Sequence, residues 1–224
     1  AWYDGSDYST MFMDVDGQLL ITGPGQPVGL WKPAFGTNGF YFDLRQAIAA
    51  SRPVTVTNSG KLAIAFDGVD DTLSSINSGA SYDEVTMAIG FTNPNADAIY
   101  KSLFLINQDN GGNVLNLIPD QITGQTTILK TTQFGYSILS LNTVTNNTPQ
   151  VGIGFAGSSS ATPVTVRLNG IATENVPVYG RADYIQIDVS SAYLPITISQ
   201  ILFIDRVLTP SEITQLEAFI RSKQ

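Results

Sequence analysis

Short segments in which apolar and polar residues alternate recur from about residue 61 onward, and a period of two marks a strand with one buried face. In KLAIAF the apolar face carries Leu62, Ile64 and Phe66; in EVTMAIGF it carries Val85, Met87, Ile89 and Phe91; in VTVRLNG it carries Val164, Val166 and Leu168. Each predicts a half-buried strand. SLFLIN, VLNLI, TTILK, YSILSL, QVGIGF and YIQIDV read the same way. With one more near the C-terminus the total is about ten, too many for a single open sheet of ordinary size, so the pattern predicts two packed antiparallel sheets. Asn110-Gly111-Gly112 and Asn169-Gly170 stand between or after such runs and supply the positive φ that tight hairpins need. The stretch GSSSATP at 157–163 reads as a loop.

The period changes at the C-terminus. Ile196 and Ile198 alternate with Thr197 and Ser199, and Ile201, Leu202, Phe203 and Ile204 then run together, which predicts a strand covered on both faces near its end. Beyond Asp205-Arg206, Thr209 stands as N-cap, Pro210 takes the first helical position, and Glu212 completes a capping box. Ile213, Leu216, Phe219 and Ile220 form one stripe, while Glu212, Arg221 and Lys223 suit the helix dipole. A structural closing helix is expected here.

In the first sixty residues Gly23, Pro24, Gly25, Pro27, Gly29, Pro33, Gly36 and Gly39 crowd out regular strands. Residues 1–60 are therefore expected to form a loop-rich wrapping segment of a single domain spanning residues 1–224, packing through Trp2, Met11, Phe12, Leu19, Leu20, Ile21, Leu30 and Trp31. Leu44, Ile48 and the nearby alanines predict a short helix before Arg52-Pro53. Because the chain opens on Ala1 rather than Met, a processed product or one piece of a longer polypeptide is expected.

Composition narrows the function. Charged residues make up 13% of the chain, against roughly 25% in ordinary domains. A net charge of −8 with 11 basic residues argues against nucleic-acid partners and anionic membranes. No apolar run approaches the roughly 18 residues of a membrane span, so membrane insertion is not expected. Cysteine and histidine are absent. That removes a disulfide frame and any serine or cysteine nucleophile activated by histidine, and it argues against a zinc site.

The remaining chemistry is sparse. Glycoside hydrolysis needs two carboxylates about 5 to 9 Å apart. The nearest approach is DYIQID, where Asp183 and Asp188 are an odd number of positions apart and face opposite sides of a regular strand. GIGFAG, Gly152 to Gly157, fits Gly-x-Gly-x-x-Gly but has no helix after it to hold a pyrophosphate. Asp67, Asp70 and Asp71 form one carboxylate cluster, and Asp14 with Asp16 another. Such loops suit calcium, but the same carboxylates also serve as turn residues bonded to nearby amides. DVDG does not continue as an EF-hand, since Gly25 stands where the closing Glu is needed.

FDGVDD at 66–71, VRLNG at 166–170 and ILFIDRVLTPSEITQLEAF at 201–219 resemble the ordered signatures of laminin G-like, concanavalin A-like domains. The opening AWYDGSDYSTMFMDVDG, with GQPVGLWKP and ASRPV, is similar to a leader found before such domains in tailed-phage and prophage virion proteins. It departs from that leader after Trp31, where KPAFGTNG replaces a DxSGNG-like turn. The resemblance implies an all-β, concanavalin A-like jelly-roll sandwich of two antiparallel sheets with a short C-terminal α-helix. It also implies a non-enzymatic structural domain on a virion surface, as capsid decoration, head fibre or tail fibre. Other virion proteins, further copies of the chain and host glycans are the expected partners. Trp31, Tyr136 and Tyr179, in Gly- or Pro-flanked segments, are the candidates for stacking on sugar rings. The alternatives are a secreted carbohydrate-binding lectin module and a glucanase-type hydrolase. The Glu-x-Asp-x-x-Glu strand of the glucanase relatives is absent.

Overall fold

The strand Glu84–Thr92 pairs antiparallel with Pro149–Gly157 on one side and Pro195–Ile204 on the other, and this trio is the middle of an eight-stranded sheet. The computed structural model describes residues 1–36, 42–75, 81–82, 84–92, 104–107, 113–122, 126–133, 136–143, 147–157, 165–172, 182–183, 186–190 and 195–224. Outward from the trio lie Thr165–Leu168 and Ile171–Ala172 on one flank and Lys61–Asp67 and Val54–Asn58 on the other. Trp2–Asp4 joins by pairing with the C-terminal half of Pro195–Ile204. The second sheet runs Tyr136–Thr143, Thr126–Gln133, Asn113–Ile122, Phe104–Asn107, Gln186–Ser190, Thr72–Ser74, Leu44–Arg45, Leu30–Trp31 and Met11–Phe12. Between the sheets, Tyr3, Trp31, Phe66, Met87, Phe91 and Phe203 are buried in one cluster. The described residues are thus mostly β, with two large antiparallel sheets, a small two-stranded one and one C-terminal α-helix.

Alternation predicts Glu84–Thr92 as half-buried, but every residue from Val85 to Thr92 is buried. The cause is the helix Pro210–Lys223, which lies on the outer face of this sheet. Ala88, Val151, Ile153 and Phe155 meet Leu208, Leu216 and Ile220 in a second apolar cluster. Gly90 makes that approach feasible, since a Cβ there would stand 2.7 Å from Ile220 Cγ2. Helix docking is a non-local event, and an alternating strand carries no local sign of it.

The helix starts as its sequence dictates. Thr209 Oγ1 accepts from the Glu212 amide, and Glu212 Oε2 accepts from the Thr209 amide at 2.9 Å, a complete capping box with Pro210 at the first position. Arg206 adds two bonds to the same carboxylate, at 2.6 and 2.9 Å. Arg206 and the Thr209 donors lower the Glu212 carboxyl to about 2. The hairpin at Asn169-Gly170 also forms as expected, with φ of +52° and +92°. Asn110-Gly111-Gly112, Val164 and residues 158–163 of the expected loop lie outside the described residues.

Residues 1–60 contribute short strands to both sheets as well as loops. Met11, Ile21, Leu30 and Trp31 are buried, whereas Leu19 and Leu20 are exposed at the tip of their turn rather than packed on the sandwich. The expected helix is reduced to the 3-10 turn Ala49–Ser51, and Leu44 lies in a strand. Arg52 explains why. Its guanidinium donates to the carbonyls of Gln46 (2.9 Å), Met13 (2.9 Å) and Ala47 (3.1 Å), which takes two carbonyls that a helix through Ile48 needs as acceptors.

Candidate functional site

Trp31 cannot stack on a sugar. It is 0% exposed, sits in the strand Leu30–Trp31 and packs edge-on against Tyr3 with ring centroids 5.5 Å apart. Its Gly and Pro neighbours mark short strands at the sandwich margin rather than an open loop. Tyr136 opens the strand Tyr136–Thr143 at an edge of the nine-stranded sheet, paired in register with Gln133, so it too is a strand residue. Tyr179 lies outside the described residues. Asp183 and Asp188 do not share a strand, as DYIQID leads one to expect. Asp183 pairs with Ser81 in a separate two-stranded sheet, and Asp188 belongs to Gln186–Ser190 in the nine-stranded one.

The Asp67–Asp71 turn does bring its carboxylates together. One oxygen from each of Asp67, Asp70 and Asp71 lies within 4.8 Å of the others. Each is also engaged. Asp67 Oδ1 accepts from the Val69 amide (2.7 Å), Asp70 Oδ2 from the Ser51 hydroxyl (2.7 Å) and Asp71 Oδ2 from the Asp67 amide (2.8 Å). Burial pushes the Asp71 carboxyl up, and the charges of Asp67 and Asp70 push it the same way. Asp14 behaves as a turn residue, accepting from the amides of Leu19 (2.9 Å) and Gln18 (3.0 Å), which lowers its carboxyl.

A different surface offers a concave site. Where Trp2–Asp4 pairs with Pro195–Ile204, Trp2 stands opposite Leu202, and the Trp2 amide donates to the Phe35 carbonyl at 2.8 Å. Leu202 and Ile204 pack against the second apolar cluster on the helix side of the sheet. Trp2, Phe35, Leu202, Phe203, Ile204, Asp205 and Ala1 enclose a pocket of about 210 Å³. Phe35 is 63% exposed, an unusual state for a large aromatic side chain.

The geometry of Trp2 is fixed from several sides. Its indole N–H donates to Gln200 Oε1 at 2.6 Å, its ring meets Phe219 edge-on at 5.3 Å, and Lys223 Nζ lies 5.4 Å from the ring centre. Behind it, buried Asp4 accepts from Gln200 and Lys223, at 2.7 and 2.9 Å, as well as from Ser6. Burial alone raises the Asp4 carboxyl, but these hydrogen bonds outweigh burial and hold it below its ordinary value. The pocket lining therefore combines a fixed aromatic residue, Trp2, with an exposed one, Phe35, two aliphatic residues, Leu202 and Ile204, and one acid, Asp205. Sequence reading placed Trp2 in packing and missed Phe35 and Asp205. The available signals were weak, an aromatic after Pro33-Ala34 and an acid closing a strand.

No family model matches the chain, and no curated protein matches it in sequence. In structure it is similar to domain 4 of AbnA, a GH43 extracellular arabinanase from Geobacillus stearothermophilus, in complex with arabinotriose. That match has a TM-score of 0.61 and 12% identity and covers 97% of each chain. It is also similar to Trypanosoma rangeli sialidase, with a TM-score of 0.63, 12% identity and coverage of 96% of this chain and 32% of that one. The binding domain of Paraclostridial Mosquitocidal Protein 1 matches with a TM-score of 0.56, 15% identity and coverage of 74% of this chain and 45% of that one. The chain thus spans about a third of the sialidase and under half of the toxin domain. At such identities the likeness establishes the β-sandwich fold.

Proposed function

We propose that the chain is a non-catalytic carbohydrate-binding module that holds a sugar ring in the pocket between Trp2 and Phe35. The observation that carries this reading is the exposed Phe35 beside the fixed Trp2, over an aliphatic floor and next to the Asp205 carboxylate. Aromatic walls cover the apolar face of a sugar ring, and a rim carboxylate accepts from its hydroxyls. Asp205 is the one carboxylate of the pocket lining, whereas glycoside hydrolysis needs two. Extension over 97% of an arabinanase domain solved with arabinotriose supports the same reading. The virion-surface setting rests on the sequence resemblance of the opening segment alone, and a secreted lectin module fits this chemistry equally well.

Phe35→Ala is the direct test. The side chain is largely in solvent, so thermal stability is expected to stay within a degree or two while affinity on a glycan array or by calorimetry falls about tenfold. Full glycan affinity in Phe35→Ala would place the binding surface elsewhere on the sandwich.

A further inference from the structure

Resting on that reading, we propose that the pocket selects amino sugars, preferring a glucosamine oligosaccharide with a protonated amine over its N-acetylated counterpart and excluding acidic saccharides. Charge complementarity sets this preference. Among the residues that line the pocket, Asp205 carries the one charged side chain. The basic groups nearby are committed elsewhere: Arg206 makes two bonds to Glu212, at 2.6 and 2.9 Å, and Lys223 is bound to Asp4 at 2.9 Å. The nitrogen of Ala1 donates to the Phe203 carbonyl at 2.8 Å.

The pocket therefore presents the Asp205 carboxylate as its one charged side chain, in a lining that also holds Trp2 and Phe35, within a chain whose net charge is −8. An ammonium group gains from both features, by ion pairing and by attraction to the ring faces. A neutral acetamide gains from neither. A uronate or sialate brings a second negative charge to Asp205, and the described cations beside it, Arg206 and Lys223, already pair with Glu212 and Asp4.

The experiment compares glucosamine, N-acetylglucosamine and galacturonate oligosaccharides of equal length, by calorimetry at neutral pH, on the parent chain and on Asp205→Asn. The parent is expected to bind the glucosamine oligosaccharide about five-fold more tightly than the N-acetylated one, with the uronate weakest. That preference should shrink in high salt and vanish in Asp205→Asn, which is expected to lose more affinity for the glucosamine ligand than for the N-acetylated one. Equal affinity for the amine and acetamide ligands, or a preference that survives in Asp205→Asn, overturns the selectivity and leaves the carbohydrate-binding reading standing. If none of the three sugars binds the parent, the selectivity falls, and if a broad array is also blank the carbohydrate-binding reading falls with it.

Discussion

Glu217 and Arg167 meet at 2.7 Å across the seam between the C-terminal helix and the Asn169-Gly170 hairpin, and Glu217 is only 7% exposed. The same carboxylate accepts from the Gly170 amide at 3.1 Å. One buried group thus joins the helix to the edge of the eight-stranded sheet. Glu217→Ala leaves a guanidinium and an amide without their acceptor and is expected to cost about 2 kcal/mol in urea unfolding. Glu217→Gln, which keeps an acceptor, is expected to cost less.

Gly90 is the closest approach of sheet and helix. A methyl group there would come within 2.6 Å of Ser199 Oγ and 2.7 Å of Ile220 Cγ2, both side-chain atoms of residues held in the strand and the helix. Gly90→Ala is expected to destabilise by about 1–3 kcal/mol, even though alanine suits a strand better than glycine in isolation. An unchanged melting temperature would mean that the helix sits more loosely than described.

Acid should weaken the molecule in a defined window. Asp4 is held below its ordinary 3.8, and Glu212 at about 2 against 4.5. Both carboxyls are lowered on folding, so each contributes stability that is present above its unfolded value and lost as pH falls through the folded one. Melting temperature is therefore expected to drop between pH 4.5 and about 2. In Glu212→Gln it should start lower at neutral pH and fall less steeply over that range.

The Asp67–Asp71 turn has the opposite sign. Asp71 is raised by burial and by its acidic neighbours, so its charge costs stability above the folded value and the cost is relieved as pH falls through that value. Asp71→Asn keeps an acceptor for the Asp67 amide and is expected to raise Tm by about 2 °C at neutral pH, with the gain vanishing in acid. Calcium probes the same turn from outside. Each carboxylate already holds a donor, so millimolar calcium is expected to leave Tm unmoved. A rise that a chelator reverses would make the turn an ion site.

Local chemistry explains what the sequence revealed. The capping box of Thr209 and Glu212 and the Asn169-Gly170 turn involve residues within one helical turn or one hairpin, so their spelling is sufficient. Burial of Glu84–Thr92 on both faces depends on a helix more than a hundred positions away, and Thr86 Oγ1 donating to the Arg206 carbonyl, 120 residues on, shows the scale. The pocket was hidden for the same reason. Trp2, Phe35 and Leu202 become neighbours only through strand pairing, and Trp31, more prominent in the sequence, is consumed by the core.

The order of the strands has a consequence for how the molecule is made. Pro195–Ile204 follows Glu84–Thr92, Lys61–Asp67 and Trp2–Asp4 in the chain by more than a hundred positions, yet it sits among them in the sheet. Trp2 and Gln200, 198 positions apart, cannot meet until all the residues between them have been synthesised. The eight-stranded sheet therefore closes late relative to its own first strands, and it closes slowly because its contacts are so distant in sequence. Until then the exposed flanks of Glu84–Thr92 and Lys61–Asp67 are free to pair with another nascent chain, so folding yield should fall as expression rate rises.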